Sequence, residues 1–176
     1  MNSSLTGLSD MINRSLEEVR VTVGKRVRSQ IFSVAEFIAE VKYAADLAAL
    51  VRGCILMVSP VYAELAVSGD RDFLYSAVGN LLQNAFKFTR KHTKVTLNAY
   101  AVADQGLIDV RDHCDGLQAG DAERMFLPFT QTGQDKRGLG LGLLVARRGA
   151  GFSNGTLTVR NVRGDRMHLY HQPTQI

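Results

Sequence analysis

Between Asp70 and Asp112 the apolar residues change their period from three-to-four to two, and this switch constrains the fold more than any other feature of the 176-residue chain. Leu74, Val78, Leu81, Ala85 and Phe88 recur at helical spacing behind an N-cap aspartate offered by Asp70 to Asp72, so a helix is expected from there to about Phe88. Val95, Leu97, Ala99 and Ala101 then alternate as a strand with one apolar face. Leu107 to Asp112 alternates again, with Ile108, Val110 and Asp112 on the same side. An aspartate thus ends an otherwise apolar strand face.

On either side of this block the pattern continues. Ser29 to Val34 reads as a short strand, and Val34, Ile38, Val41, Ala45 and Ala48 form the stripe of a helix that Gly53 ends. The continuous apolar run Cys54 to Val58 is expected to be a buried strand. Toward the C-terminus, a short helix is expected after Gly140, followed by strands around Thr156 to Val162 and Met167 to His171. The stretch from His113 to Arg137 is rich in glycine and polar residues and too long for an ordinary connection, which suggests a lid. Ahead of all this, Leu5, Leu8, Ile12, Leu16, Val19 and Val23 recur every three or four residues with charges between them, the pattern of a helix that needs a partner, in another chain or on the domain itself. Gly24 and the basic residues Lys25, Arg26 and Arg28 read as its end and a linker. The expected division is therefore a helix over residues 1–24 and one domain over 25–176.

Composition narrows the function classes. Hydrophobic content of 45% with 22% charged residues describes an ordinary globular domain, and no apolar run approaches the length of a membrane helix. A cytosolic setting, as a free chain or as the cytosolic part of a larger membrane-attached protein, is expected, since Met1 to Asp10 has no signal-peptide zones and Cys54 and Cys114 lack metal-type or disulfide-framework spacing. The net charge of +4 permits an anionic partner, but the basic residues are scattered over several segments, so nucleic acid is not the expected one.

Three groups of residues carry chemistry. Asn80, Asn84 and Lys87 fall at i, i+4 and i+7 and project from one helix face; an amide oxygen can ligate a hard cation such as Mg²⁺, and a lysine can pair with phosphate. Any surface helix has a polar face, so this pattern alone is weak. Arg137 to Leu143 reads Arg-Gly-Leu-Gly-Leu-Gly-Leu before a helix, where Gly138, Gly140 and Gly142 would let backbone N–H groups approach an anion. A flexible hinge is the plainer reading of an isolated glycine run. Asp112, at a strand end, can accept a hydrogen bond from an adenine amino group or simply cap a turn.

Taken together these segments resemble a known family. Asn80-Leu-Leu-Gln-Asn84-Ala-Phe-Lys87-Phe-Thr89 is similar to the N box of sensor histidine kinases, and Asp112-His-Cys-Asp-Gly116-Leu stands where their first glycine box does. Glu123-Arg-Met-Phe126-Leu-Pro128-Phe129-Thr-Gln131 resembles their F box, and Gly138-Leu139-Gly140-Leu141-Gly142-Leu their second glycine box, all in the family's order. The resemblance implies an α+β fold: a two-layer α/β sandwich whose mixed sheet is backed by three helices, preceded here by an N-terminal helix. It implies ATP as the bound nucleotide, with Asn84 on magnesium and Asn80 and Lys87, the candidate catalytic residues, on the phosphates. Asp112 and Gly116 would meet the adenine, and Gly138 to Gly142, with Leu139 and Leu141 between the glycines, the phosphates. Phe126 and Phe129 would anchor the lid, and Lys136 and Arg137 would reach the γ-phosphate. The partners it implies are a phosphoacceptor dimerisation domain, a response regulator and a second copy of the chain paired through the N-terminal helix, as in a four-helix bundle.

Two departures stand out. The family's acceptor motif, His-Glu followed by a basic residue, is absent around His92, His113, His168 and His171, so the phosphorylated histidine is expected outside this chain. Cys114 replaces the first glycine of the first glycine box, where a side chain is expected to crowd the adenine or restrict the turn. That departure supports a rival reading, a degenerate module acting as a scaffold. Hydrolysis is disfavoured: the ATP hydrolases of the wider superfamily carry a glutamate four residues before the magnesium asparagine, where this chain has Asn80, and an amide is no general base.

Overall fold

The computed structural model describes residues 28–103, 105–113, 121–127, 142–152, 155–162 and 165–170. The N-terminal stripe, Cys114, Gly116, Phe129 and the run from Lys136 to Leu141 lie outside the described residues.

The chain enters through β1 (Ser29–Ser33) and passes at once into α1 (Val34–Arg52). Ser33 caps α1, its hydroxyl accepting from the Glu36 N–H at 3.3 Å, and Gly53 ends it at φ 71°, a left-handed conformation that glycine adopts without the cost a Cβ would add. The helix buries Val34, Phe37, Ile38, Val41 and Ala49. Ala48, expected on the core face, is exposed, because the inward face runs through Ala45 and Ala49.

Next comes β2 (Ile55–Val58), whose long apolar run suggested full burial; only Leu56 is buried, while Ile55 and Met57 are exposed. Its place explains this, for β2 is an edge strand of the five-stranded sheet and only the face that carries Leu56 joins the core. The strand β3 (Ala66–Asp70), which the sequence reading did not anticipate, pairs antiparallel with β1 to form a separate two-stranded sheet. Its sequence, Ala-Val-Ser-Gly-Asp, contains too few apolar residues for alternation to show.

Helix α2 (Arg71–Phe88) begins where the sequence placed it. Asp70 is its N-cap, one carboxylate oxygen accepting from the Phe73 N–H at 3.2 Å and the other from the Arg28 N–H at 2.7 Å. Eight residues of α2 are buried: Phe73, Leu74, Ala77, Val78, Leu81, Leu82, Ala85 and Phe86. At ~1.5–3 kcal/mol for each large apolar side chain withdrawn from water, this helix is the main contributor to the core.

Strands β4 (Lys94–Val102) and β5 (Gln105–Asp112) follow, then a one-turn α3 (Asp121–Arg124), α4 (Gly142–Phe152), β6 (Thr156–Val162) and β7 (Asp165–Tyr170). They complete a five-stranded sheet of order β2-β4-β5-β7-β6, in which β2 and β4 are parallel and the remaining pairs antiparallel. Val95, Leu97, Ala99, Ile108 and Val110 of the sheet, Leu157 of β6 and the inward faces of α1, α2 and α4 share one hydrophobic core. The fold is therefore an α+β two-layer sandwich with a mixed sheet and three principal helices, the class the motifs implied. None of its described helices is long and apolar enough to cross a membrane.

Candidate functional site

The site is built where α2 meets the start of α4. Leu81, Leu82 and Ala85 hold α2 against the core, which leaves Asn80, Asn84 and Lys87 half-buried along one side of the helix. The Asn84 side chain is oriented from within its own helix: its amide nitrogen donates to the Asn80 carbonyl at 2.9 Å. With the nitrogen so engaged, the Asn84 Oδ1 is the atom left to meet a cation.

Gly142 opens α4 against the two asparagines. A Cβ at Gly142 would lie 3.3 Å from Asn80 Oδ1 and 3.5 Å from Asn84 Nδ2. Glycine is needed here for space rather than for an unusual backbone angle, and its absence of a side chain lets the α4 N-terminus close on the polar face of α2. The first turn of a helix presents backbone N–H donors and a partial positive charge, so an anion at this junction would find helix donors from one side and amides from the other. Lys87 adds a full positive charge in the last turn of α2, its Nζ 5.3 Å from the centroid of the Phe88 ring.

Asp112 lies at the end of β5 and is wholly buried, on the face shared with Ile108 and Val110. The strand end is tied to the C-terminus of α2. Thr89, the C-cap, accepts from the His113 N–H at 3.1 Å, the Arg90 N–H donates to the His113 carbonyl at 3.2 Å, and the His113 Nδ1 lies 2.9 Å from the Lys94 carbonyl oxygen. Asp112 is thereby fixed relative to the helix that carries Asn84.

Of the expected lid, His113 and residues 121–127 are described. Phe126 is buried, with the Arg147 guanidinium of α4 4.7 Å above its ring, and Arg147 also reaches Glu123 Oε2 at 3.4 Å. This segment is thus fastened to the same helix whose first residue faces the asparagines. Sequence reasoning missed Arg147, Thr89 and His113 as positioning residues. No local signal marks Arg147, since Glu123 and Phe126 meet it only across the fold, and Thr89 stood inside the N-box match without an assigned role.

A mixed five-stranded sheet backed by α1, α2 and α4, with Asn80 and Asn84 of α2 facing the first residue of α4, places the chain among the α/β sandwiches. Residues 69–175 match the family described as histidine kinase-, DNA gyrase B- and HSP90-like ATPase, and the chain belongs to that family. Among curated relatives, histidine protein kinase DivJ of Caulobacter vibrioides is 36% identical over 104 residues, covering 57% of this chain and 17% of its own length. Sensor protein GacS of Pseudomonas syringae pv. syringae is 30% identical over 179 residues, covering 94% of this chain and 19% of its own length. The chain thus spans less than a fifth of these relatives. Full-length ShkA, solved in complex with AMPPNP, shares the fold with a TM-score of 0.80 at 20% identity, covering 99% of this chain and 38% of that one.

Proposed function

We propose that this chain is the ATP-binding catalytic domain of a two-component sensor histidine kinase and that it delivers the γ-phosphoryl group of ATP to a histidine on a dimerisation segment outside this chain. The observation that carries this reading is the closure of Gly142 on Asn80 and Asn84, because it joins the second glycine box to the N box in one anion- and cation-binding junction. The donor set suits magnesium triphosphate. Asn84 would contribute its amide oxygen to the metal, Asn80 and Lys87 would hold phosphate oxygens, and Asp112 would accept from the adenine amino group. When bound, magnesium supplies charge neutralisation on the β- and γ-phosphate oxygens. One protein oxygen makes a weak metal site alone, so ATP and metal should bind together.

In the transfer, the bond from the γ-phosphorus to the bridging oxygen of ATP breaks, leaving ADP, and a phosphorus–nitrogen bond forms to the acceptor imidazole. The imidazole is itself a competent nucleophile, so the protein need not supply a strong base, and Asn80 supplies none. Gly116, Phe129, Lys136, Arg137 and Gly138 to Leu141 complete the site in this reading, as lid and phosphate-loop residues. A response regulator would take the phosphoryl group onward. Residues 1–24 would pair with a second copy in a four-helix bundle once the acceptor helix is present. Incubating the chain and γ-labelled ATP with a two-helix hairpin that carries an acceptor histidine tests the reading. Acid-labile, base-stable label is expected on the hairpin and not on the chain. Label on His92, His113, His168 or His171, or none anywhere, would overturn it.

A further inference from the structure

Helix α1 is apolar on two faces, and only one of them is used. Opposite the buried face stand Tyr43, Leu47, Leu50 and Val51, which are 87%, 68%, 73% and 77% exposed, with Ala39, Ala44 and Ala48 also exposed alongside. The order Ala39, Tyr43, Leu47, Leu50/Val51 follows helical spacing, so these residues form one stripe. A contiguous stripe of large apolar side chains left in water on the face opposite the core marks a surface that something covers.

The point at which the chain enters the domain says what. The Arg28 N–H donates to Asp70 Oδ2 at 2.7 Å, and the next residue in the cap, Arg71, reaches Glu40 Oε2 on α1 at 2.5 Å. The chain therefore enters one arginine's reach from Glu40, on the side of the domain where the exposed stripe begins at Ala39. Residues 24–27 span at most about 14 Å when extended, so a helix ending at Val23 is tethered within reach of that end. Such a helix, running back along α1, would meet the stripe in register. Val23 falls opposite Ala39, Val19 opposite Tyr43, Leu16 opposite Leu47, and Ile12 opposite Leu50 and Val51. Both sets rise through the same length, about 17 Å at 1.5 Å per residue, and the antiparallel arrangement opposes the two helix dipoles.

We propose that residues 5–23 dock in cis as a helix along the exposed face of α1, antiparallel to it. The stripe that would enter a dimer bundle when an acceptor hairpin is present is held on the catalytic domain when none is. Docking and bundle formation compete for the same apolar side chains, which makes α1 a resting place for the dimerisation helix.

The test is a Leu16→Cys, Leu47→Cys pair in the full chain with Cys114→Ser, oxidised at low micromolar concentration; Cys54 is buried and stays reduced. Tethering raises the effective concentration of one thiol at the other to about millimolar, so an intramolecular disulfide is expected, seen as a faster-migrating monomer on a non-reducing gel. A Leu16→Cys, Glu64→Cys pair should not close. A disulfide-linked dimer would assign the stripe to a second copy, and no disulfide would leave it to an external partner; either overturns the proposal. A second measurement needs no cysteines. Leu47→Asp lies on the exposed face and should accelerate amide hydrogen exchange over residues 8–23 at least about tenfold while sparing α2. Unchanged exchange over residues 8–23 would equally overturn docking.

Discussion

Gly142→Ala should separate the stability of this domain from its affinity for nucleotide. Alanine is the better helix former, by less than the ~1 kcal/mol of a helix interior because Gly142 opens α4, and the Gly142 backbone does not lie in the left-handed region, so nothing in the chain's own geometry opposes the change. What opposes it is the Asn80 Oδ1 at 3.3 Å and the Asn84 Nδ2 at 3.5 Å from the new methyl. The first is the end of a half-buried side chain and can yield by a few tenths of an ångström, and the second is an ordinary contact, so the effects on folding should nearly cancel, leaving a net change within about 1 kcal/mol. Nucleotide has no such compensation. Turning the Asn80 amide misdirects a group proposed to meet phosphate, and Asn84, bonded to the Asn80 carbonyl beside it, is held by the same turn, so a cost of about 1–2 kcal/mol, or roughly five- to thirtyfold in Kd, is expected. Urea unfolding and calorimetric titration of Mg-ATP on the same preparation give both numbers. Loss of stability in proportion to loss of affinity would mean that Gly142 is simply a packing residue, and unchanged affinity would refute the junction between α2 and α4 as the phosphate site.

Three further outcomes follow from named contacts. Asn84→Ala removes the proposed metal ligand and should weaken Mg-ATP binding by about 1–3 kcal/mol, roughly fivefold to a hundredfold, as read by calorimetry; equal affinity in mutant and parent would remove Asn84 from the site. Asp70→Ala deletes an acceptor for both the Phe73 and Arg28 N–H groups and should cost about 1–2 kcal/mol in chemical unfolding, whereas a change below a few tenths would show that the cap is dispensable. Burial pushes the Cys54 thiol above its ordinary value of 9.0, so the fold favours the neutral form. Its contribution is therefore fully present below about pH 9 and is lost as pH rises through the folded pKa. The stability difference between parent and Cys54→Ala should accordingly shrink above that pH, and a difference that grows there would reverse the sign.

The sequence was most legible where one period ran undisturbed. The α2 stripe and its aspartate cap, the alternation of β4 and β5, and the placing of Asp112 on an apolar face all follow from side-chain spacing, because burial on one face demands that spacing. It was least legible where burial depends on neighbours remote in the chain. The run from Cys54 to Val58 looks fully buried until its strand is known to lie at a sheet edge, and β3 carries too little apolar residue to announce itself. The candidate site divides in the same way. Asn80, Asn84 and Gly142 are visible as motifs, but the hydrogen bond that orients Asn84, the space Gly142 leaves and the clasp of Arg147 on Phe126 and Glu123 arise only from tertiary packing.

Titration of ATP into the chain, with magnesium and again with a chelator present, tests the central claim most directly. The account predicts saturable one-to-one binding that weakens at least about tenfold when magnesium is withdrawn, since the metal joins Asn84 to the phosphates. Absence of saturable binding, or an affinity indifferent to magnesium, would contradict it.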